Sequence, residues 1–453
     1  MAKSNINVAQ CLESDMLTSK QLQAATGLSQ PAVSRQIRLL GDRVVKLPNG
    51  KNPKYALTRN AFGSDNKIPL FVVDADGNNT LAADIRPLLT RGYFVEIRPG
   101  GSPLLLGVDG SGVFDDIPYY LQDLRPQGFV GRQIARELAE RSSEFPTDPD
   151  RWNANHVGKY LLSNGEDLPG NFQFGETGLL RIRRAPAKYS RDEYLKLAED
   201  ALAGELAGSS AGGEQPKFTV YSTERSANVI VKFSPSGDDA IARRWRDVLI
   251  TEYHATEALH AKSVPAAEVE LIEIGDRLFL ESMRFDRIGE YGRSSMISMQ
   301  MVDAEFVGNG ADWPIVMQEL KNKNLISPQH FFDACVLWEF GFLINNTDMH
   351  LGNLSLGITG DVFSILPAYD MCSMGFAPIR GTVKPFSFSP QVKHSKLNCL
   401  AWSEPTQDHV RSLAIDFWER VAKDKRISLE LKEFLAEGNP VTRHDDQHEL
   451  QIS

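Results

Sequence analysis

The segment FFDACVLWEFGFLI, residues 331–344, constrains this chain more than any other. It reads as one apolar helix, and a helix of that kind has to be enclosed by other elements. Asp333 and Glu339 interrupt it, and it is shorter than a bilayer-spanning helix needs to be, so a protein core rather than a membrane is expected around it. The chain can supply that core: 453 residues with 42% hydrophobic and 24% charged side chains make a globular protein of roughly two to four folding units. The helix runs directly into NNTDMHLGNLSL, residues 345–356. A polar cluster at the end of so buried a helix costs several kcal/mol in desolvation unless it is paired or used, on the order of the penalty for unpaired buried polar groups. Use in chemistry is the simpler account.

Within that cluster Asp348 and Asn353 are five residues apart, the separation of Asp and Asn in the catalytic loop of protein kinases. There the Asp accepts the proton of the substrate hydroxyl, the Asn holds magnesium, and a later Asp at a strand end holds the metal that bridges the phosphates. Asp370 follows the strand-like VFSIL and lies 22 residues after Asp348, although Met371 and Cys372 stand after it in place of the usual Phe-Gly. A competing arrangement takes His350 with Asp348 and Asp370 as three metal ligands, as in a metal-dependent nuclease. His350 is expected instead to buttress the loop by hydrogen bonds, and the oxygens of Asn353 and Asp370 suit magnesium better than zinc.

Upstream, GSSAGGEQPKFTVY (208–221) leads into ANVIVKFSPSG (227–237), two alternating runs that read as a hairpin fed by a glycine-rich segment able to cover a nucleotide's phosphates. It matches neither GxxxxGK[ST] nor GxGxxG. Lys232 sits where a kinase places its strand lysine, with Lys217 on the preceding strand; an ordinary solvent-facing strand lysine is the plainer alternative. The helix ARRWRDVLITEYHATEALHA (242–261) offers Glu252 to orient that lysine, with Glu257 on the same helix. The segment DRLFLESMRFDR (276–287) is expected to pass the adenine as a hinge, through Met283 and Phe285.

Charge separates the chain into two parts. The formal net charge is -10, which by itself argues against a polyanionic partner, yet residues 1–62 hold nine Lys or Arg against three acids, +6, leaving -16 for the rest. In the basic part LTSKQLQAATGLSQPAVSRQIRLL (17–40) reads as two helices. Thr18 or Ser19 caps the first, Leu22, Ala25 and Leu28 form its inner side, and Gly27 makes the turn. Ser29 caps the second, Pro31 lies in its first turn, and Val33, Ile37 and Leu40 recur at helical spacing. Gln30, Ser34, Arg35 and Arg38 then face outward, suited to base edges and phosphates. RVVKL and KYALT follow as strands around the turn PNGKNP, with Lys51 and Lys54 at its tip to track phosphate. Order and spacing are those of a winged helix-turn-helix; the plainer reading is a helical protein-contact module with a solvated basic face.

Residues 63–187 contain strand-like IPLFVVDADG and GYFVEIRPGGSPLLLGVDGSG and the helical VGRQIARELAERS, and read as a scaffold without evident chemistry. The four cysteines, Cys11, Cys335, Cys372 and Cys399, show no paired spacing, and the N-terminal residues lack the apolar run of a signal peptide, so a reducing, cytoplasmic setting is expected.

Taken together, SAGGEQPK (210–217), IVKF (230–233), TEY (251–253), RFDR (284–287), NTDMHLGN (346–353) and YDMCS (369–373) resemble, in order and spacing, the HipA-like serine/threonine kinases, toxins of bacterial toxin-antitoxin modules. With its own N-terminal helix-turn-helix the chain is similar to the YjjJ-like (HipH-like) subgroup. The resemblance implies an α+β fold: a winged helix-turn-helix at 1–62, the family's N-terminal subdomain at 63–187, a nucleotide-binding kinase N-lobe at 188–288, and a helical C-lobe with the catalytic loop at 289–453. It implies ATP and magnesium as cofactors, Asp348 as base, Asn353 and Asp370 as magnesium ligands, and Lys232 as the phosphate lysine. Ser210 matches the family's autophosphorylated loop serine, with Ser209 beside it; Pro216 and Met283 stand where Glu is more common. Implied partners are DNA, a protein substrate such as an aminoacyl-tRNA synthetase, and an antitoxin, in a bacterial cytoplasm near the nucleoid. Two other functions fit parts of the pattern: a DNA-binding regulator whose kinase fold senses nucleotide without phosphate transfer, and the nuclease above.

Overall fold

In the computed structural model of the chain, residues 7–164, 167–176, 185–203, 215–310, 312–388 and 404–443 are described. The architecture is mixed α and β: among the described residues, three sheets of three to five strands are followed by a helical region that holds a further three-stranded sheet.

The N-terminal unit consists of α1 (Val8–Ser14), β1 (Leu17–Thr18), α2 (Ser19–Thr26), α3 (Gln30–Leu40), β2 (Val44–Leu47) and β3 (Lys54–Leu57). Thr18 closes a capping box with Gln21 at the start of α2, and Gly27, at φ 72°, ends that helix in the left-handed conformation that glycine tolerates. Ser29 occupies the N-cap of α3 as expected, but makes no side-chain capping bond. Ala25, expected on the inner side of α2, is exposed. The core is built by Val8 and Leu12 of α1 against Leu22, Val33 and Leu57, and α1 is a helix that the sequence pattern did not reveal.

The second unit is an antiparallel sheet of β4 (Ile68–Val73), β5 (Asn79–Pro87), β6 (Tyr93–Ile97), β7 (Val113–Phe114) and β8 (Phe172–Phe174), in the order β7-β6-β5-β4-β8. It is flanked by α4 (Tyr119–Gln122), α5 (Gly128–Arg141) and α6 (Ala154–Asn164). The two units are packed together. Val45, Leu47 and Ala56 bury the outer face of the β2–β3 hairpin against Leu88 and Phe94, while Arg86 and Asn66 both donate to the Asp42 carbonyl. Apolar layers therefore cover that hairpin on both sides.

The third sheet has the order β12-β13-β11-β10-β9, made by β9 (Lys188–Tyr189), β10 (Lys217–Ser222), β11 (Ala227–Phe233), β12 (Val269–Ile274) and β13 (Arg277–Met283). Helix α7 (Tyr194–Ala203) and the long α8 (Ala240–Ala261) pack on it, α8 starting at Asp239, whose carboxylate caps two backbone N–H groups. The helical region follows: β14 (Ile297–Ser298), α9 (Met299–Phe306), α10 (Trp313–Asn322), α11 (Pro328–Leu343), β15 (Ser355–Thr359), β16 (Val362–Ile365), α12 (Glu404–Lys423) and α13 (Leu429–Ala436). Helix α11 contains the apolar run and is enclosed as its sequence requires, with Ala334, Cys335, Leu337 and Phe340 buried. Among the described residues no helix is long and apolar enough to cross a membrane.

A buried ionic clamp joins the second sheet to the third. Arg284 reaches Asp167 at 2.7 Å and Asp286 at 2.9 Å, Arg287 reaches Asp286 at 2.7 Å and Asp167 at 2.9 Å, and the Gly170 N–H donates to Asp286 at 2.9 Å. Burial alone would raise the Asp286 carboxyl, but Arg284 and Arg287 outweigh it and hold it well below the usual carboxylate range. Asp286→Ala, which leaves two buried guanidiniums short of a partner, is expected to cost about 3–5 kcal/mol in chemical denaturation at neutral pH. Because the folded-state pKa is depressed, the wild-type advantage over Asp286→Ala is complete above the unfolded carboxyl value of about 3.9 and is lost as pH falls toward the folded value.

Candidate functional site

Strand β11 carries Lys232 inward, paired in register with Lys217 of β10. The solvent-facing alternative for Lys232 does not hold, since its side chain is 7% exposed. Its Nζ donates to both carboxylate oxygens of Glu252, at 2.5 and 2.7 Å, and to Oδ1 of Asp370 at 2.5 Å. Glu252 of α8 is therefore the acid that meets the lysine, and Glu257 is not. Burial works against the ammonium, yet the charges of Asp370 and Glu252 prevail and raise its pKa. Burial likewise opposes the Asp370 carboxylate, and the charges of Lys232 and Lys217 pull it below the ordinary value. For Glu252 burial outweighs the pull of Lys232 and raises the carboxyl above its ordinary value.

Past the end of α11 the polar cluster is paired residue by residue. The Asn346 side-chain oxygen Oδ1 accepts the Asp348 N–H at 3.0 Å, and Asn353 Nδ2 donates to the Asp348 backbone carbonyl at 2.7 Å and to its carboxylate Oδ2 at 3.2 Å. His350 Nδ1 accepts the Gly352 N–H at 3.0 Å, and the His350 carbonyl takes the Trp313 indole N–H at 3.0 Å, so this residue braces the loop as expected. The Asp348 carboxylate is about half exposed, turned toward solvent where a hydroxyl could approach. Asp370 has φ 55°, the left-handed region that a non-glycine residue enters only where its surroundings impose it. Those surroundings include Lys232 on its carboxylate and the Asn346 amide on its carbonyl, at 3.4 Å.

One cleft brings these groups together. Lys217, Lys232 and Glu252 line it from the third sheet and α8, Met283 and Phe285 from the end of β13, and Asn353 and Asp370 from the helical region. The Phe285 and Tyr369 rings lie 5.8 Å apart, and the Tyr369 hydroxyl is tied to Ser355 at 2.8 Å. Asn353 uses its amide N–H groups on Asp348, and Asp370 meets Lys232 through Oδ1, so the Asn353 carbonyl oxygen and Asp370 Oδ2 are the oxygens best suited to a hard cation. The three-ligand cluster required of a nuclease is not assembled: among the described residues no group of three His, Cys, Asp or Glu side chains is arranged to hold a metal, and Asp370 pairs with Lys232 instead.

The cleft also has a wall that the sequence did not announce. Asp123, Arg125, Gln127 and Pro169 line it from the second unit, so residues 63–187 are not the chemically silent scaffold expected of them. The segment DLRPQG carries no spacing or periodicity that would have marked it. Ser209 and Ser210 lie outside the described residues. Far along the chain, Gln30, Ser34, Arg35 and Arg38 are all exposed on α3, Lys51 is exposed in the β2–β3 turn, and Lys54 is half-buried at the start of β3.

Residues 64–183 match the sequence profile of the YjjJ-like toxin middle domain, and residues 209–432 match that of the HipA-like C-terminal domain. Over 428 residues the chain is 37% identical to Toxin YjjJ of Escherichia coli (strain K12), covering 91% of each. The chain belongs to the YjjJ-like branch of the HipA-like toxins. The HipA-like C-terminal match spans β10 through α12 and thus every cleft residue outside the second unit. HipA of Shewanella oneidensis MR-1, solved with HipB and its operator DNA, is a structural neighbour of this HipA-like chain: TM-score 0.53 and 17% identity, with 81% of this chain and 91% of that one covered. That likeness is one of fold.

Lys232→Met is expected to destabilise the protein by about 3–5 kcal/mol at pH 7.5, since it leaves two buried carboxylates facing each other without their cation. Their pKa values then rise, the folded state binds more protons than the unfolded one, and part of the lost stability returns between pH 7.5 and 5. Melting temperatures of both proteins across that range test this.

Proposed function

We propose that this chain is an ATP- and magnesium-dependent protein serine/threonine kinase of the HipA-like toxins that carries its own DNA-binding winged helix. The observation that carries the reading is the buried triad of Lys232, Glu252 and Asp370 in one cleft with Asn353, whose amide holds Asp348. A lysine fixed by an acid from the neighbouring helix is the arrangement that positions nucleotide phosphates in kinases, and it has little use in a purely structural protein. In this reading Met283 and Phe285 flank the adenine, and Lys217 and Lys232 receive the phosphates. Asp348 takes the proton of a serine or threonine hydroxyl as its oxygen bonds the γ-phosphorus and ADP leaves. The hydrogen bonds from Asn353 and from the Asp348 N–H to Asn346 keep that carboxylate aimed. Oxygens of Asn353 and Asp370 would hold magnesium, which would supply positive charge to offset the charge developing on the phosphoryl group. Ser210 or Ser209 is the proposed autophosphorylation site.

Support for the DNA-binding part comes from the charge of +6 on residues 1–62 and from the exposure of Gln30, Ser34, Arg35 and Arg38 along one helix, with Lys51 and Lys54 on the adjoining hairpin. The Shewanella relative was solved with HipB and operator DNA, which makes a DNA operator and a separate antitoxin reasonable partners here as well. A translation enzyme such as an aminoacyl-tRNA synthetase is the proposed substrate, in the bacterial cytoplasm.

Purified protein incubated with radiolabelled ATP and magnesium is expected to label itself or a lysate protein. Asp348→Ala should lower the rate by about a hundredfold or more, the scale of a lost general base. Phosphosite mapping then identifies Ser209, Ser210 or an external target, and equal labelling by Asp348→Ala would remove the kinase reading. Independently, Arg35→Ala/Arg38→Ala should weaken binding to duplex DNA and flatten its dependence on salt, each lost phosphate contact lowering the slope by about one. Unchanged binding would remove the assignment of α3.

A further inference from the structure

We infer that Arg125, from the second unit, is a ligand for the nucleotide's phosphates, so that the kinase site is completed by the YjjJ-like middle domain; this rests on the kinase reading above. Among the described residues four basic side chains line the cleft: Arg125, Lys217, Lys232 and Arg284. Lys232 is committed to Glu252 and Asp370, and Arg284 to Asp167 and Asp286. Lys217 lies in the field of the same two acids as Lys232. Arg125 is differently placed. Among the described residues its carboxylate neighbour is Asp150, 3.7 Å away, with a side chain 81% exposed, and an ion pair that open to water is weak. Its Nε is buried and has no hydrogen-bond partner among the described residues. A buried guanidinium N–H without an acceptor is costly, and the complement of its planar donor fork is an oxyanion.

The loop that carries Arg125 is held on both sides. Two residues before it, Asp123 accepts the Ser298 backbone N–H at 2.7 Å and the Ser298 hydroxyl, which ties the second unit to the start of α9. One residue after it, Pro126 is buried and packs so tightly on α5 that a Cβ at Gly131 would come within 2.6 Å of its carbonyl carbon. Arg125 therefore lines the same cleft as Lys232 from a backbone held on both sides. An anionic ligand entering the cleft satisfies Nε and displaces Asp150 into the water it already faces.

The test uses the full-length chain with Asp348→Ala to prevent turnover, and titrates ATP, ADP and adenosine in the presence of magnesium by calorimetry. Adding Arg125→Ala is expected to weaken ATP and ADP by about tenfold, the effect of one charge-assisted contact, and to change adenosine by less than about twofold. Arg125→Lys should recover part of the ATP affinity, and melting temperatures should stay unchanged. Equal ATP affinity in Arg125→Ala, or parallel loss of ATP and adenosine, overturns the assignment. If the parent protein binds ATP and only the arginine variant is unaffected, the kinase reading survives and this inference does not; if the parent binds none of the three ligands, both fall.

Discussion

Lys232 is the point on which the geometry of the cleft depends. Its ammonium can stay charged in a buried place only if carboxylates reach it, and the two that do come from different parts of the chain: Glu252 from a 22-residue helix and Asp370 from the segment after β16. Satisfying one cation thus fixes the height of β11, the rotation of α8 and the path of the segment after β16 at once. Such a buried arrangement contributes little net stability compared with apolar packing, because desolvation cancels most of the attraction. What it secures here is position, and the left-handed backbone at Asp370 is held by the same contact that orients its carboxylate.

The clamp formed by Arg284, Asp286, Arg287 and Asp167 does for the walls of the cleft what Lys232 does for its centre. Met283 and Phe285 alternate with Arg284 and Asp286, and all four line the cleft, so the same short segment both walls the site and ties it to the second unit through Asp167. The site is consequently a composite. Loops of residues 63–187 close it on one side, which makes the second unit a part of the site and not merely an attachment to it.

How much of this could be read from sequence follows the range of the interactions. The buried helix α11, the lysine strand, Glu252 and the Asp348–Asn353 spacing are local patterns, and the structure has the helices and strands where those patterns put them. The polar residues after α11 were legible as costly and therefore meaningful, and each of Asn346, Asp348, His350 and Asn353 turns out to be bonded. The wall formed by Asp123 and Arg125 was not legible, because its meaning lies in Ser298, about 175 residues later, and no periodicity records a contact of that span. Helix α1 escaped for a simpler reason: seven residues with two buried side chains, Val8 and Leu12, give too few turns for a pattern. Ala25 misled because its spacing suited an inner face that α1 then claimed elsewhere.

The double burial of the β2–β3 hairpin has a consequence for how the molecule works as a machine. With Val33, Leu57 and their neighbours on one side and Leu88 and Phe94 on the other, the β2–β3 hairpin is packed between α3 and the second unit. The outer side of α3 and the mouth of the cleft are thus carried on one packed frame, and the Asp348 carboxylate opens to solvent along a bearing fixed relative to that helix.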